Sequence, residues 1–346
     1  MTERKLATIR RISALEPIPG ADKIEVATVD GWRVVVKKGE FQVGMLVVYL
    51  EVDSWVPTTI APFLTKPGHI PKEFEGVAGE RLRTVKLRGQ LSQGLLLNPE
   101  QFSASKGGGQ CLDEGQDVTA ELGILKWEKP IPANMAGVMR GNFPTKLQKT
   151  DQPRIQNLSR EISKWINGGE VWEVTEKLDG TSVTFWLDED SVFHVCSRNV
   201  DLIEDENNLY WQVAEKYDIE AKLRKVGEGM VGVAIQGEIC GPGIQGNQYG
   251  LTEPTLFVFD LFDSKSGTYC DSTNRVAIVE ALGLTHAPVI GSLVFDEKTS
   301  ISELLEIAKG KSVLNDSVRE GLVFKNLRDP SVSFKVINNY WLLDNE

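Results

Sequence analysis

The chain has 346 residues and a mass of 38.4 kDa, longer than one hydrophobic core ordinarily serves, so two domains are expected. Hydrophobic residues make up 41% and charged residues 25%, and no apolar run approaches the ~18 residues a membrane-crossing helix needs, which excludes that class. A formal net charge of −11 excludes a surface that is basic throughout and leaves a polyanionic partner only a local basic strip.

Residues 1 to 12 alternate charged and apolar side chains and lack the apolar core of a secretory signal, so an intracellular location is expected. From Lys5 to about Trp127 the pattern predicts short strands. Trp32 to Lys37, Met45 to Val52 and Arg81 to Leu87 are rich in β-branched and aromatic residues, and Pro17, Gly20, Gly31, Gly39, Gly44 and Pro57 punctuate the region. Such strands in this length predict an OB-like β barrel, a fold that often binds nucleic-acid strands. Arg81, Arg83, Lys86 and Arg88 place four cations on one strand-like segment, a candidate strip for a nucleic-acid backbone or else a solvated face. Trp32 and Trp55 are read as barrel core rather than as stacking platforms. Gly107-Gly108-Gly109 reads as a flexible loop.

Between Trp127 and Arg154, Pro130, Pro132, Gly137, Gly141, Pro144 and Pro153 predict a linker. The boundary is placed at residue 128, giving an OB-like domain over 1–127 and a larger α+β domain over 128–346. In the second, Trp172 to Thr175, Ser182 to Leu187, Val231 to Ile239, Thr255 to Leu261 and Gly321 to Lys325 read as strands. Leu209 to Val226, Arg275 to Ala281 and Ser302 to Ala308 carry helical periodicity. Cys111, Cys196, Cys240 and Cys270 are scattered without CxxC spacing, so neither a zinc site nor a disulfide framework is expected.

The segment Glu176-Lys177-Leu178-Asp179-Gly180-Thr181-Ser182 lies between two apolar strand-like runs, where a lysine in a tight turn can project into a cleft. Downstream, in order, stand Ser197-Arg198-Asn199, Gln236-Gly237-Glu238-Ile239-Cys240-Gly241-Pro242-Gly243 and Phe257-Val258-Phe259-Asp260. Glu320-Gly321-Leu322-Val323-Phe324-Lys325 and Ser333-Phe334-Lys335-Val336 complete the series. This ordered set resembles the covalent nucleotidyltransferase superfamily of DNA ligases, RNA ligases and mRNA capping enzymes. The opening Leu6-Ala7-Thr8-Ile9-Arg10-Arg11-Ile12, the Pro17 to Asp22 turn, Lys86 to Gly94 and Lys149-Thr150-Asp151 with Arg154 and Gln156 narrow the resemblance. They are similar to RNA ligase family five, in which an OB domain precedes the nucleotidyltransferase domain. Most DNA ligases and capping enzymes carry the two in the opposite order.

The resemblance implies a two-domain α+β fold, an OB-like barrel followed by a ligase-type nucleotidyltransferase domain of antiparallel sheets with flanking helices. It implies an ATP-dependent RNA ligase. Lys177 would take AMP from ATP, pass it to a 5′-phosphate, and a 3′-hydroxyl would displace it, at nicks with RNA on the 3′-hydroxyl side. At a pKa near ~10.4 about one lysine in a thousand is neutral at physiological pH, so the site must favour the free amine. Magnesium or manganese held by Asp179, Glu238 and Glu320, directly or through water, would do so. Glu238 is also a candidate for ribose contact.

Arg198, Lys325 and Lys335 are the expected phosphate cations, with Glu176 and Asn199 as further nucleotide contacts. Ser333 stands where many relatives have a lysine, so Lys149 and Arg154 are candidate substitutes. Phe259 is expected to stack on adenine, with Phe257 on the same face of an alternating strand. Lys177, Asp179, Glu238, Glu320 and Lys335 form the expected catalytic set, and RNA or an RNA-containing nicked duplex the expected partner of a monomer. The rival readings are a DNA ligase, a capping guanylyltransferase, and a non-catalytic OB-type RNA-binding protein.

Overall fold

β-branched and aromatic runs of the first third pair as short antiparallel strands in the computed structural model, which describes residues 4–100, 113–129, 137–225 and 232–345. Two compact units are present: Met1–Pro130 with Leu342–Glu346, and Ile131–Trp341. Gly107 to Gly109, Cys111, Pro130 and Pro132 lie outside the described residues.

The strands of the first unit are β1 (Ala7–Arg11), β2 (Ala14–Pro17), β3 (Ile24–Val29), β4 (Trp32–Lys37), β5 (Leu46–Leu50), β6 (Ser54–Pro57), β7 (Lys72–Phe74), β8 (Val77–Arg81), β9 (Thr84–Leu87), β10 (Gln90–Gln93), β11 (Leu95–Leu97) and β12 (Leu125–Lys126). They pair in the orders β1-β5-β11, β2-β3-β4, β10-β9 and β12-β6-β8-β7. Strand β5 alternates its side chains between two apolar clusters, Val48 and Leu50 into one and Val47 and Tyr49 into the other. That is why its sequence is apolar without a break. Trp32 is fully buried against Tyr49, and Trp55 is buried beside Phe74, both in the interior.

The predicted strand Arg81 to Leu87 is two strands in two sheets, broken at Leu82, which is buried, and Arg83, which is exposed. Four cations therefore do not share one strand. Arg81 ends β8 with its guanidinium 2.5 Å from Asp53 and 3.6 Å above the Trp127 ring. Lys86 is on β9, and Arg88, with φ of 50°, forms with Gly89 the two-residue turn between β9 and β10. Positive φ at both turn positions matches the right-handed twist of a hairpin.

The second unit holds β13 (Met139–Asn142), β14 (Val171–Lys177), β15 (Thr181–Leu187), β16 (Phe193–Ser197), β17 (Val200–Leu202), β18 (Val233–Cys240), β19 (Thr255–Asp263), β20 (Thr268–Tyr269), β21 (Thr285–His286), β22 (Val289–Val294), β23 (Gly321–Asn326) and β24 (Ser333–Ile337). One sheet runs β13-β17-β16-β15-β18-β19-β20, with β21 on β19; the other runs β22-β14-β23-β24. Part of the predicted linker is thus a strand, β13, paired with β17 through a bulge between Met139 and Gly141.

Phe185, Val195, Ile235, Leu256 and Val279 belong to the core on the first sheet, and Trp172, Phe295, Phe324 and Phe334 to that on the second. The predicted helix Leu209 to Val226 is instead two, Leu209–Lys216 and Ile219–Lys225, turned at Asp218 with φ of 52°; Val226 lies outside the described residues. Helices Ser272–Ala281 and Ile301–Ile307 begin earlier than periodicity suggests, after the capping side chains Asp271 and Ser300. Among the described residues no helix is long and apolar enough to cross a membrane. Cys196 and Cys240 are buried free thiols and Cys270 a partly buried one.

Candidate active site

Strand β14 ends at Lys177, and after three intervening residues β15 begins in the other sheet, so the lysine stands where the chain passes between sheets. The turn is tightly held. Leu178 packs with Cys240, Tyr249 and Phe257, and the Asp179 N–H donates to Tyr249 Oη at 2.7 Å. At Gly180 a Cβ would lie 2.4 Å from the Ile239 carbonyl oxygen and 2.8 Å from Glu238 Cγ, so only glycine lets β15 approach β18 here.

A cleft of about 350 Å³ opens beside this turn. Its lining includes Glu176, Lys177, Asp179, Arg198, Glu238, Phe259, Glu320, Lys325 and Lys335. Nine residues scattered over more than 150 positions of sequence thus meet in one place. Asn199, Lys149 and Arg154 are not among its lining residues: Lys149 Nζ donates to Asn199 Oδ1 at 3.3 Å, and the Arg154 backbone bridges to Lys335.

Lys177 Nζ lies 2.5 Å from Glu320 Oε1. Burial disfavours its ammonium, but the charges of Glu320, Glu238 and Asp179 outweigh burial and raise its pKa. The carboxylates respond in kind. Asp179 is pushed up to about 6 by burial and by Glu320, and Glu238 to about 8 by burial and by the charges of Glu320 and Asp179, against the pull of Lys177.

Among the described residues no group of three His, Cys, Asp or Glu side chains is close enough to hold a metal ion directly. Yet Glu320 Oε2 is buried with no hydrogen-bond partner, and three crowded carboxylates share one ammonium. That donor set suits a divalent ion held through water, whose charge would relieve the repulsion.

Phe259 enters the cleft through a bulge. Gln236 pairs with Asp260 and Gly237 with Val258, leaving Phe259 without a cross-strand partner. Phe257 and Phe259 keep the expected shared face: both pack in one cluster with Leu178, Cys240 and Tyr249 while Leu256 and Val258 turn to the other core, Phe257 being buried and Phe259 partly buried and lining the cleft. Lys325 Nζ, expected on phosphates, donates to the Phe259 carbonyl and to Asp260 Oδ1, each at 2.6 Å, and burial holds its pKa below the usual lysine value. Asp260 is shared with the fully buried Arg275, which also pairs with Glu173 and donates to His286 Nε2. Glu176 Oε2 accepts from Val313 N at 2.8 Å, while its Oε1 is buried with no partner among the described residues.

Sequence reasoning gave no site role to Asp151 or Gln245, which also line the cleft. Asp151 accepts from Lys335 Nζ at 3.1 Å and pairs with Arg198 at 3.1 Å. The signal available for Asp151 was its place in the Lys149-Thr150-Asp151 segment; for Gln245, only a glycine-rich stretch.

Comparison with known proteins agrees with this geometry. The family model described as an OB-fold domain matches residues 6–99, and that described as RNA ligase matches residues 170–337. No curated protein matches the chain. Among solved structures, a mutant of Naegleria gruberi RNA ligase with AMP and Mn is 39% identical over 99% of each chain, with a TM-score of 0.82. Another mutant of that ligase, with ATP and Mn, gives the same identity, coverage and TM-score. The Naegleria gruberi RNA ligase with PPi is 40% identical over 99% of each chain, with a TM-score of 0.81. An α+β fold of an OB-fold domain followed by a ligase domain, matched along its whole length to RNA ligases, shows that the chain belongs to the RNA ligase family.

Proposed function

We propose that the chain is an ATP-dependent RNA ligase that joins 3′-hydroxyl and 5′-phosphate ends through a lysyl-AMP formed on Lys177. The observation that carries this reading is the setting of the Lys177 amine in the cleft, 2.5 Å from Glu320 and within the fields of Asp179 and Glu238, with Arg198 and Lys335 lining the same cleft. The ATP, AMP, PPi and Mn named with the Naegleria gruberi structures support ATP and a divalent metal for this chain too.

In this reading adenine stacks on Phe259 near Glu176, the ribose meets Glu238, and the phosphates extend toward Lys335 and Arg198. The Lys177 nitrogen, having lost its proton, bonds the α-phosphorus as the bond to the β-phosphate oxygen breaks and pyrophosphate leaves. Magnesium or manganese, when bound, supplies positive charge at the phosphates and carboxylates. Asp179, Glu238 and Glu320 would hold its waters, and the cation's charge would offset the carboxylate field that keeps Lys177 protonated. The AMP then moves to a 5′-phosphate, and a 3′-hydroxyl displaces it.

The substrate is a nick in a duplex with RNA on the 3′-hydroxyl side, sealed by a single chain inside the cell, with Arg83, Lys86 and Arg88 of the barrel following the backbone and Arg81 bracing its own unit. Sealing of paired nicks tests this. A nick ending in a ribonucleotide should seal well and its deoxyribonucleotide counterpart poorly; equal rates on both would overturn the RNA requirement.

A further inference from the structure

Asp151 makes one salt bridge with each of two cleft cations, Oδ1 with Lys335 and Oδ2 with Arg198, both at 3.1 Å. Its position is fixed from several sides. The Lys335 N–H donates to the Pro153 carbonyl at 2.8 Å, and Arg154 bridges to Lys335, so the segment docks against β24. Thr150 Oγ1 bonds Ser182 Oγ at 2.7 Å, and Lys149 reaches Asn199 on the turn that carries Arg198. An anionic group is thus held, two oxygens to two cations, on the cations that a nucleotide's phosphates would meet.

We propose that Asp151 is a built-in stand-in for phosphate, which occupies Lys335 and Arg198 while the nucleotide is away and competes with pyrophosphate for them once it has been formed. The inference rests on reading the cleft as the ATP site. Its consequence is directional. A carboxylate that reclaims both cations as pyrophosphate leaves weakens the rebinding of pyrophosphate and so opposes reversal of lysine adenylylation. It also keeps two cations from standing unpaired at the mouth of a site crowded with carboxylates.

The test compares the wild type with Asp151→Asn and Asp151→Glu in the full chain. Each protein is loaded with labelled AMP, and the inorganic pyrophosphate concentration that half-discharges it is measured at fixed metal. Two partly exposed pairs are involved, so Asp151→Asn should lower that concentration roughly fivefold, and Asp151→Glu should stay near the wild type. An unchanged or raised concentration in Asp151→Asn would show that Asp151 orients the cations instead, and the proposal would be overturned. Asp151→Ser gives the same readout if Asp151→Asn does not fold, thermal melting serving as the check. A wild type that takes no label from ATP would end the ATP-site reading and this proposal with it. A labelled wild type with insensitive variants would end this proposal alone.

Discussion

Lys177 Nζ and Glu320 Oε1 stand 2.5 Å apart, so the amine proposed as the nucleophile is held as an ammonium by the carboxylate beside it. In the proposed mechanism a competing cation at Glu320 releases it. Replacement of Glu320 by Gln removes the pair but also the site for that cation. Adduct formation in Glu320→Gln should fall by at least about 10²-fold. Wild-type rates across a metal titration would remove Glu320 from this role.

The pH dependence follows from the raised carboxylates. Asp179 and Glu238 have folded-state pKa values above their unfolded ones, so without metal their contribution to stability is fully present below about pH 4 and lost as pH rises through about 6 and about 8. Protonated carboxylates bind no cation, so the metal concentration for half-maximal adduct formation should fall over the same window. In Glu238→Gln the upper part of the stability loss should disappear. Metal-free melting curves and metal titrations at several pH values measure both, and a flat profile in the wild type would contradict the assignment.

Phe259 and Phe257 share a face but only Phe259 lines the cleft. Phe259→Leu should raise the KM for ATP about tenfold with little change in melting temperature, because a cleft-lining stacking surface is lost. Phe257→Leu should lower stability and leave KM near normal. Steady-state adenylylation beside thermal melting separates the two, and the reverse pattern would mean that adenine sits elsewhere.

The barrel cations divide as well. Lys86→Glu with Arg88→Glu should weaken nick binding and flatten its salt dependence by about one unit of slope for each phosphate left without its cation. Arg81→Glu should chiefly destabilise, since it leaves Asp53 without its partner and uncovers Trp127. Nick affinity at several salt concentrations decides; an unchanged slope in the Lys86 and Arg88 variant would exclude that hairpin from the substrate path.

How far the sequence carried is clearest at individual residues. Lys177, Asp179 and Gly180 were legible because the requirement is local, a turn that presents a lysine and a glycine that admits a neighbouring strand. Trp32 and Trp55 were legible as core from their place in apolar strands. Phe259 was half legible: its aromatic type pointed to stacking, but its bulge depends on the register against β18, which strand alternation does not reveal. Asp151 was not legible as a cleft residue because backbone docking against β24, some 180 positions later, brings it there. The break at Asp218 escaped because apolar periodicity continues across it, and the single strand Arg81 to Leu87 was wrong because Leu82 turns inward between two sheets.

The central claim is covalent chemistry at one lysine. Incubation of the purified protein with ATP and magnesium or manganese, followed by mass spectrometry of its peptides, measures it most directly. The account predicts one AMP added on the peptide containing Lys177, released by pyrophosphate and absent in Lys177→Ala. A normal adduct in Lys177→Ala, or AMP on another residue, would contradict it.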